Sequence, residues 1–240
     1  MEIARFIIGR AMAVLPAVLL LVYILRKDAK PEPAGKIALA LVLGVIICLP
    51  IILVEMGISA VLFGEGGEAS SFIGNCTDAF VVAAIPEETF KLLALWLVLR
   101  KNPYFDEHYD AIVYSVCVGL GFATIENIGY VLFDSDWASV GIVRAIFSVP
   151  GHYAFAVLMG YYYARYHFVK RSALNAICIW AVPVLAHGTY DAIVMNIGIH
   201  EWLVFPTLIL LIVFCIWMHK ASKKKIMAQL ELDKSGMMST

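Results

Sequence analysis

The chain has 240 residues, 62% of them hydrophobic and 15% charged, with a formal net charge of −1. A soluble domain of this length seldom spends so little on charge, and no basic arm or aromatic-basic interleaving suggests a nucleic-acid partner. Apolar runs of 18 or more residues recur, each long enough to cross a hydrocarbon core of about 30 Å, which points to an all-α, polytopic protein of the lipid bilayer.

In chain order, hydropathy predicts seven spans at roughly 7–25, 37–63, 79–99, 110–133, 142–164, 172–196 and 202–219, within one membrane domain covering 1–240. The first has some signal-peptide character, but Arg5 and Arg10 are spread through it and no A-x-A-like site with a secreted domain follows. It reads as a span. Segments 26–36, 100–108, 165–171 and 220–240 hold 14 of the 18 lysines and arginines, while 64–78 and 134–141 hold none. The positive-inside rule then puts the N-terminus outside and the C-terminus in the cytoplasm, with Arg5 and Arg10 running against it at the first span. Cys48, Cys76, Cys117, Cys178 and Cys215 show no CxxC or paired spacing, so neither a disulfide framework nor a cysteine zinc site is indicated. YDAIV occurs at 109–113 and at 190–194, at opposite ends of its two spans, and reads as a chance match in an apolar alphabet.

Charge at bilayer depth costs several kcal/mol per residue, so each instance is a functional hypothesis. The third span carries Pro86, Glu87, Glu88 and Lys91, the fourth Glu126 and Asn127, the fifth His152, and the sixth His187 and Asp191. At 1.5 Å per residue, Glu88 lies ~14 Å, Glu126 ~10 Å, His152 ~15 Å and His187 ~12 Å below the outer ends of their spans. Four helices thus place carboxylates and imidazoles at one level, in the outer half of the membrane. Glu87 and Lys91 are four residues apart and share a face, whereas Glu88 is turned by about 100°; Lys91 is expected to brace Glu87 and leave Glu88 toward the cavity. A buried ion pair that only fixes packing is the plainer reading of Glu87 and Lys91. Pro86 frees a backbone carbonyl, tolerable here only beside a polar neighbour or cavity.

Glu126 has no basic residue within one helical turn, so its partner must come from another helix. Asn127 serves either as an oxyanion donor or as interhelical glue. His152 follows Pro150 at a helix break, and His187 and Asp191 have the spacing at which a carboxylate orients an imidazole. Glu55 lies at a similar depth with nothing near it to confirm a role. HExxH, GxSxG and GxGD are all absent. Hydrolysis remains accessible through a glutamate-activated water, or through a divalent metal such as zinc held by His152, His187 and Glu126. The rival reading is a proton- or ion-coupled transporter built on the same buried Glu/His cluster; a purely structural role leaves the two histidines unexplained.

PEETFK fits an EExxK pattern and GFATIEN an FxxxEN pattern, and PGHYAFAVLMG and HGTYD come next in order; FDEHYDAIVY precedes the Glu126 span. Together these motifs, over about residues 80–195, resemble the PrsW family of intramembrane proteases, distantly similar to the CAAX-protease/Abi superfamily. The resemblance implies a bacterial membrane endopeptidase that cuts a single-pass protein, an anti-sigma factor in stress signalling, near its extracytoplasmic side. It implies Glu87, Glu88, Glu126, His152, His187 and Asp191 as the catalytic set, with Lys91 supporting, and it leaves metal dependence open.

Overall fold

The structure, a computed structural model, describes residues 2–64, 66–67 and 69–237, with side chains placed from Ile8 to Gly236. Every regular element among them is helical: α1 (Glu2–Leu25), α2 (Ala34–Ile46), α3 (Cys48–Phe63), α4 (Phe72–Thr77), α5 (Ile85–Leu99), α6 (Asp110–Phe133), α7 (Trp137–Val143), α8 (Val149–Ala164), α9 (Ala173–Met195) and α10 (Val204–Met237). Among the described residues, six passages are long and apolar enough to cross a membrane: 8–25, 34–63, 110–133, 137–169, 173–195 and 201–236. The remaining predicted span, 79–99, belongs to a helical passage from Phe72 to Leu99 and carries Glu87, Glu88 and Lys91. Its three charges set it apart, and they are the reason the passage matters. Arg5, one of the two residues running against the expected orientation, lies outside the described side chains; Arg10 is half-buried.

Prolines punctuate these helices where chemistry is expected. Pro50 removes the N–H that the Ile46 carbonyl would accept, and α2 gives way to α3 at Ile47. A π-helical stretch, Asp78–Ala84, ends just before Pro86, and another, Arg144–Ser148, ends just before Pro150. A proline deprives the preceding turn of one hydrogen bond, and a widened turn is the usual local remedy. Glu87, Glu88 and His152 therefore sit in the first turn after such a widening. Pro183 lies one turn ahead of His187 within α9.

α6 is the axis of the bundle. Its residues from Asp110 to Ala123 are all buried, and α8, α2 and α1 pack most extensively around it. Close approach to α2 requires glycine on both sides: a Cβ on Gly44 would lie 2.2 Å from the Val118 carbonyl oxygen, and one on Gly121 would lie 2.3 Å from that of Leu41. Cys48 Sγ meets the carbonyls of Gly44 and Phe122 at 3.6 and 3.7 Å in the same seam. Gly121→Ala is expected to force the helices apart at a cost of about 1–3 kcal/mol, read as a lower melting temperature in detergent; an unchanged melt contradicts this packing. Around this core, Leu15, Leu19, Leu49, Leu53, Phe205 and Ile209 face outward, an apolar exterior suited to lipid.

The last helix runs well past the expected end at residue 219. Ser222, Ile226, Gln229 and Asp233 are buried at helical spacing, so this lysine-rich stretch continues the helix and stays packed on the bundle rather than trailing as a tail.

Candidate active site

Three of the four expected helices, α5, α8 and α9, converge on one cluster, and α6 borders it through Glu126. Glu87 (5% exposed), Glu88 (0%), Lys91 (3%), His152 (5%) and His187 (2%) are buried together. Glu87, Glu88, His152 and His187 each offer one ligand atom, and the four atoms lie within 4.8 Å of one another.

Lys91 Nζ stands 2.8 Å from Glu87 Oε2 and 2.8 Å from Glu88 Oε1. The expected asymmetry, with Lys91 bracing Glu87 alone, is absent because i,i+3 and i,i+4 neighbours are both within reach of a lysine at the end of that turn. Its ammonium also donates to His152 Nδ1 at 3.3 Å and lies 4.2 Å above the Phe122 ring. An ammonium only donates, so Nδ1 is the accepting nitrogen and the His152 proton resides on Nε2. That nitrogen faces Glu126 Oε2, 2.8 Å away.

His187 repeats the pattern. Its Nε2 meets Asp191 Oδ2 at 3.0 Å, and its Nδ1 meets Glu88 Oε1 at 2.9 Å. Phe155 stacks on it at 4.8 Å with 19° between the planes, and the two imidazoles stand 5.2 Å apart at 84°. Each histidine is thus gripped on Nε2 by an outer carboxylate and turns Nδ1 inward to the glutamates. This is the arrangement in which a carboxylate fixes a metal-ligating imidazole's tautomer and orientation.

Glu126 accordingly stands on the far side of His152 from the donor cluster, not among the grouped ligand atoms expected from sequence. Arg144 Nη2 meets its Oε2 at 2.8 Å. Sequence reasoning missed Arg144, the partner that Glu126 had to find on another helix; the signal was a lone arginine in the apolar run GIVRAIF. Its Nε donates to Asn127 Oδ1 at 2.7 Å, and its guanidinium lies 3.9 Å over Tyr130. Asn127 in turn donates to the Ala13 carbonyl at 3.1 Å, so it ties α6 to α1 and Arg144. Glu55 is half-buried on α3, a helix that buries only Cys48 and Ile51, and is not part of the cluster.

The donor set fits a borderline divalent metal: two carboxylates and two imidazoles with braced outer nitrogens, His152 Nδ1 presenting a lone pair and His187 Nδ1 doing so once a metal displaces the proton it gives to Glu88. His152 and His187 with Glu87 or Glu88 would hold it.

A family model described as PrsW family intramembrane metalloprotease matches residues 32–218, reaching α2 and α3, where no motif stood out. Relatives named Protease PrsW are similar to the chain. That of Oceanobacillus iheyensis is 33% identical over 87% of this chain and 93% of its own length. That of Clostridioides difficile is 34% identical over 90% and 88%, and that of Bacillus subtilis 31% over 88% and 92%. No solved structure matches. Matched over this length, the chain is a multi-pass membrane protease rather than the transporter that buried charge alone allowed, and it belongs to the PrsW family of intramembrane metalloproteases.

Proposed function

We propose that the chain hydrolyses a peptide bond of a single-pass membrane protein near its extracytoplasmic side, and that this substrate is an anti-sigma factor whose cleavage starts a stress response. The observation that carries the reading is the buried Glu87–Glu88–His152–His187 cluster with its two braced histidines. The lysine and arginine distribution supports an outside N-terminus and a cytoplasmic C-terminus, which puts the cluster in the outer half of the bilayer. A cleft of about 330 Å³ bordered by Ser59, Asn75, Asp78 and Met195 lies toward that end of the bundle.

Glu88 is the group best placed as base. One of its oxygens, Oε1, is taken by Lys91 and His187, while Oε2 is buried and free of any donor among the described residues. That oxygen can accept a proton from an attacking water and return it to the leaving amine. Lys91 supplies compensating positive charge beside it. A divalent metal such as zinc, when bound to His152, His187 and Glu87, would supply Lewis acidity toward the scissile carbonyl. Glu126 and Asp191 hold the imidazoles in register, and their side chains, 22% and 19% exposed, lie at the less enclosed flanks of the site.

The test is co-reconstitution with a single-pass anti-sigma factor in liposomes. Wild type is expected to release an extracytoplasmic fragment, and Glu88→Gln to release none. Equal release by both contradicts the role of Glu88; cleavage of other single-pass proteins but not of anti-sigma factors contradicts the substrate class.

A further inference from the structure

A second group of carboxylates lies at the opposite end of α6 from the active site. Asp110 opens the helix, 16 residues ahead of Glu126, or ~24 Å along its axis. Asp28 from the α1–α2 loop, Glu107 from the α5–α6 loop and Asp110 each present an oxygen, and these three atoms lie within 4.8 Å of one another. Asp28 is 9% exposed and Asp110 1%.

The pocket is half satisfied. Asp110 Oδ2 accepts the N–H groups of Asp106 (3.0 Å) and Glu107 (2.7 Å), and Asp28 Oδ1 accepts that of Lys30 at 3.0 Å. The second oxygen of each, Asp110 Oδ1 and Asp28 Oδ2, is buried without a hydrogen-bond donor among the described residues. Three basic groups on these loops are already committed: Lys30 pairs with Asp106, His108 with Asp233 at 2.8 Å, and Lys27 lies over Tyr23. Two orphaned, buried carboxylate oxygens within a group of three acidic side chains call for positive charge.

We propose that Asp28, Glu107 and Asp110 form a binding site for a hard divalent cation of the calcium or magnesium class. Donors that are all oxygen, drawn from two loops and a helix start, suit such ions, in contrast to the nitrogen-containing set at the active site. The cation would pin the α1–α2 loop to the α5–α6 loop. The same junction receives the end of α10, where Asp233 accepts the N–H groups of His108 (2.8 Å) and Tyr109 (2.9 Å). Burial pushes the carboxyl groups of Asp28 and Glu107 up, so protons are the cation's natural competitors.

Terbium luminescence on the full chain in detergent tests this, with Tyr109 and Tyr114 as nearby sensitisers and Ca²⁺ and Mg²⁺ as competitors. The expected result is a saturable signal displaced by one of these ions. It should be retained in Glu88→Gln and weakened about tenfold or more in Asp28→Asn, as fewer charged ligands remain. Millimolar Ca²⁺ or Mg²⁺ should also raise the melting temperature of wild type but not of Asp28→Asn. Three results overturn the proposal: a signal equal in wild type and Asp28→Asn, a signal lost only in Glu88→Gln, or a wild-type melt indifferent to both ions. If Asp28→Asn stabilises the protein regardless of cation, the pocket is neutralised by protons and the proposal fails.

Discussion

His152→Ala should strip the catalytic metal and abolish cleavage together, with activity down about a thousandfold or more. The imidazole turns Nδ1 toward the glutamates while Nε2 is held by Glu126, so truncation removes an inward donor that no neighbour can replace. Glu126→Gln provides the contrast. It leaves every inward donor in place and disturbs the grip on Nε2 together with the Arg144 ion pair; for loss of such a grip, decreases of about 10- to 100-fold in metal affinity or activity are typical. Metal content by mass spectrometry and cleavage of the reconstituted substrate, measured on both variants, separate the two roles. Should Glu126→Gln empty the site as thoroughly as His152→Ala, Glu126 is itself a ligand and not the group that braces His152.

Lys91→Met is the second large effect. Removing the ammonium leaves Glu87 and Glu88 buried side by side with no counter-charge at 2.8 Å. Breaking a buried ion pair from one side costs about 3–5 kcal/mol, which in a chain of this size corresponds to a fall in melting temperature of about 10 °C. Cleavage should vanish as well, since the two carboxylates must then share a proton or part. Added zinc is expected to restore part of the lost melting temperature in Lys91→Met, because it neutralises the same oxygens. A melting temperature close to that of wild type would show that Lys91 is not the charge that makes this pair of glutamates tolerable.

Much of this site could be read from sequence because the membrane makes polarity rare. A glutamate in AFVVAAIPEETFKLL stands out, and counting residues from the span ends was enough to bring Glu88, Glu126, His152 and His187 to one level. Direction was harder. The i,i+3 and i,i+4 spacings allowed Lys91 to reach both glutamates of its own helix, but the angle between them suggested only one; that Glu126 faces the outer nitrogen of His152 depends on side-chain reach across helices. Arg144 escaped notice because it stands near the start of its predicted span, where an arginine is unremarkable. KASKKK looked like a cytoplasmic tail, yet Ser222, Ile226, Gln229 and Asp233 form a buried stripe whose small and polar members carry little hydropathy. The Asp28–Glu107–Asp110 pocket draws on three separated segments, and no local pattern announces it.

The widened turns before Pro86 and Pro150 give these two helices slack in length. A π turn holds one residue more than the α-helical ladder needs, so loss of a single residue from 78–84 or 144–148 would tighten the turn and leave the catalytic residues beyond it on the same face. The regular turns that follow have no such slack, because each residue there turns the rest of the helix by about 100°. Losing one residue between Glu88 and Lys91 would carry the ammonium off the face it shares with the two glutamates while leaving the helix apolar and able to insert.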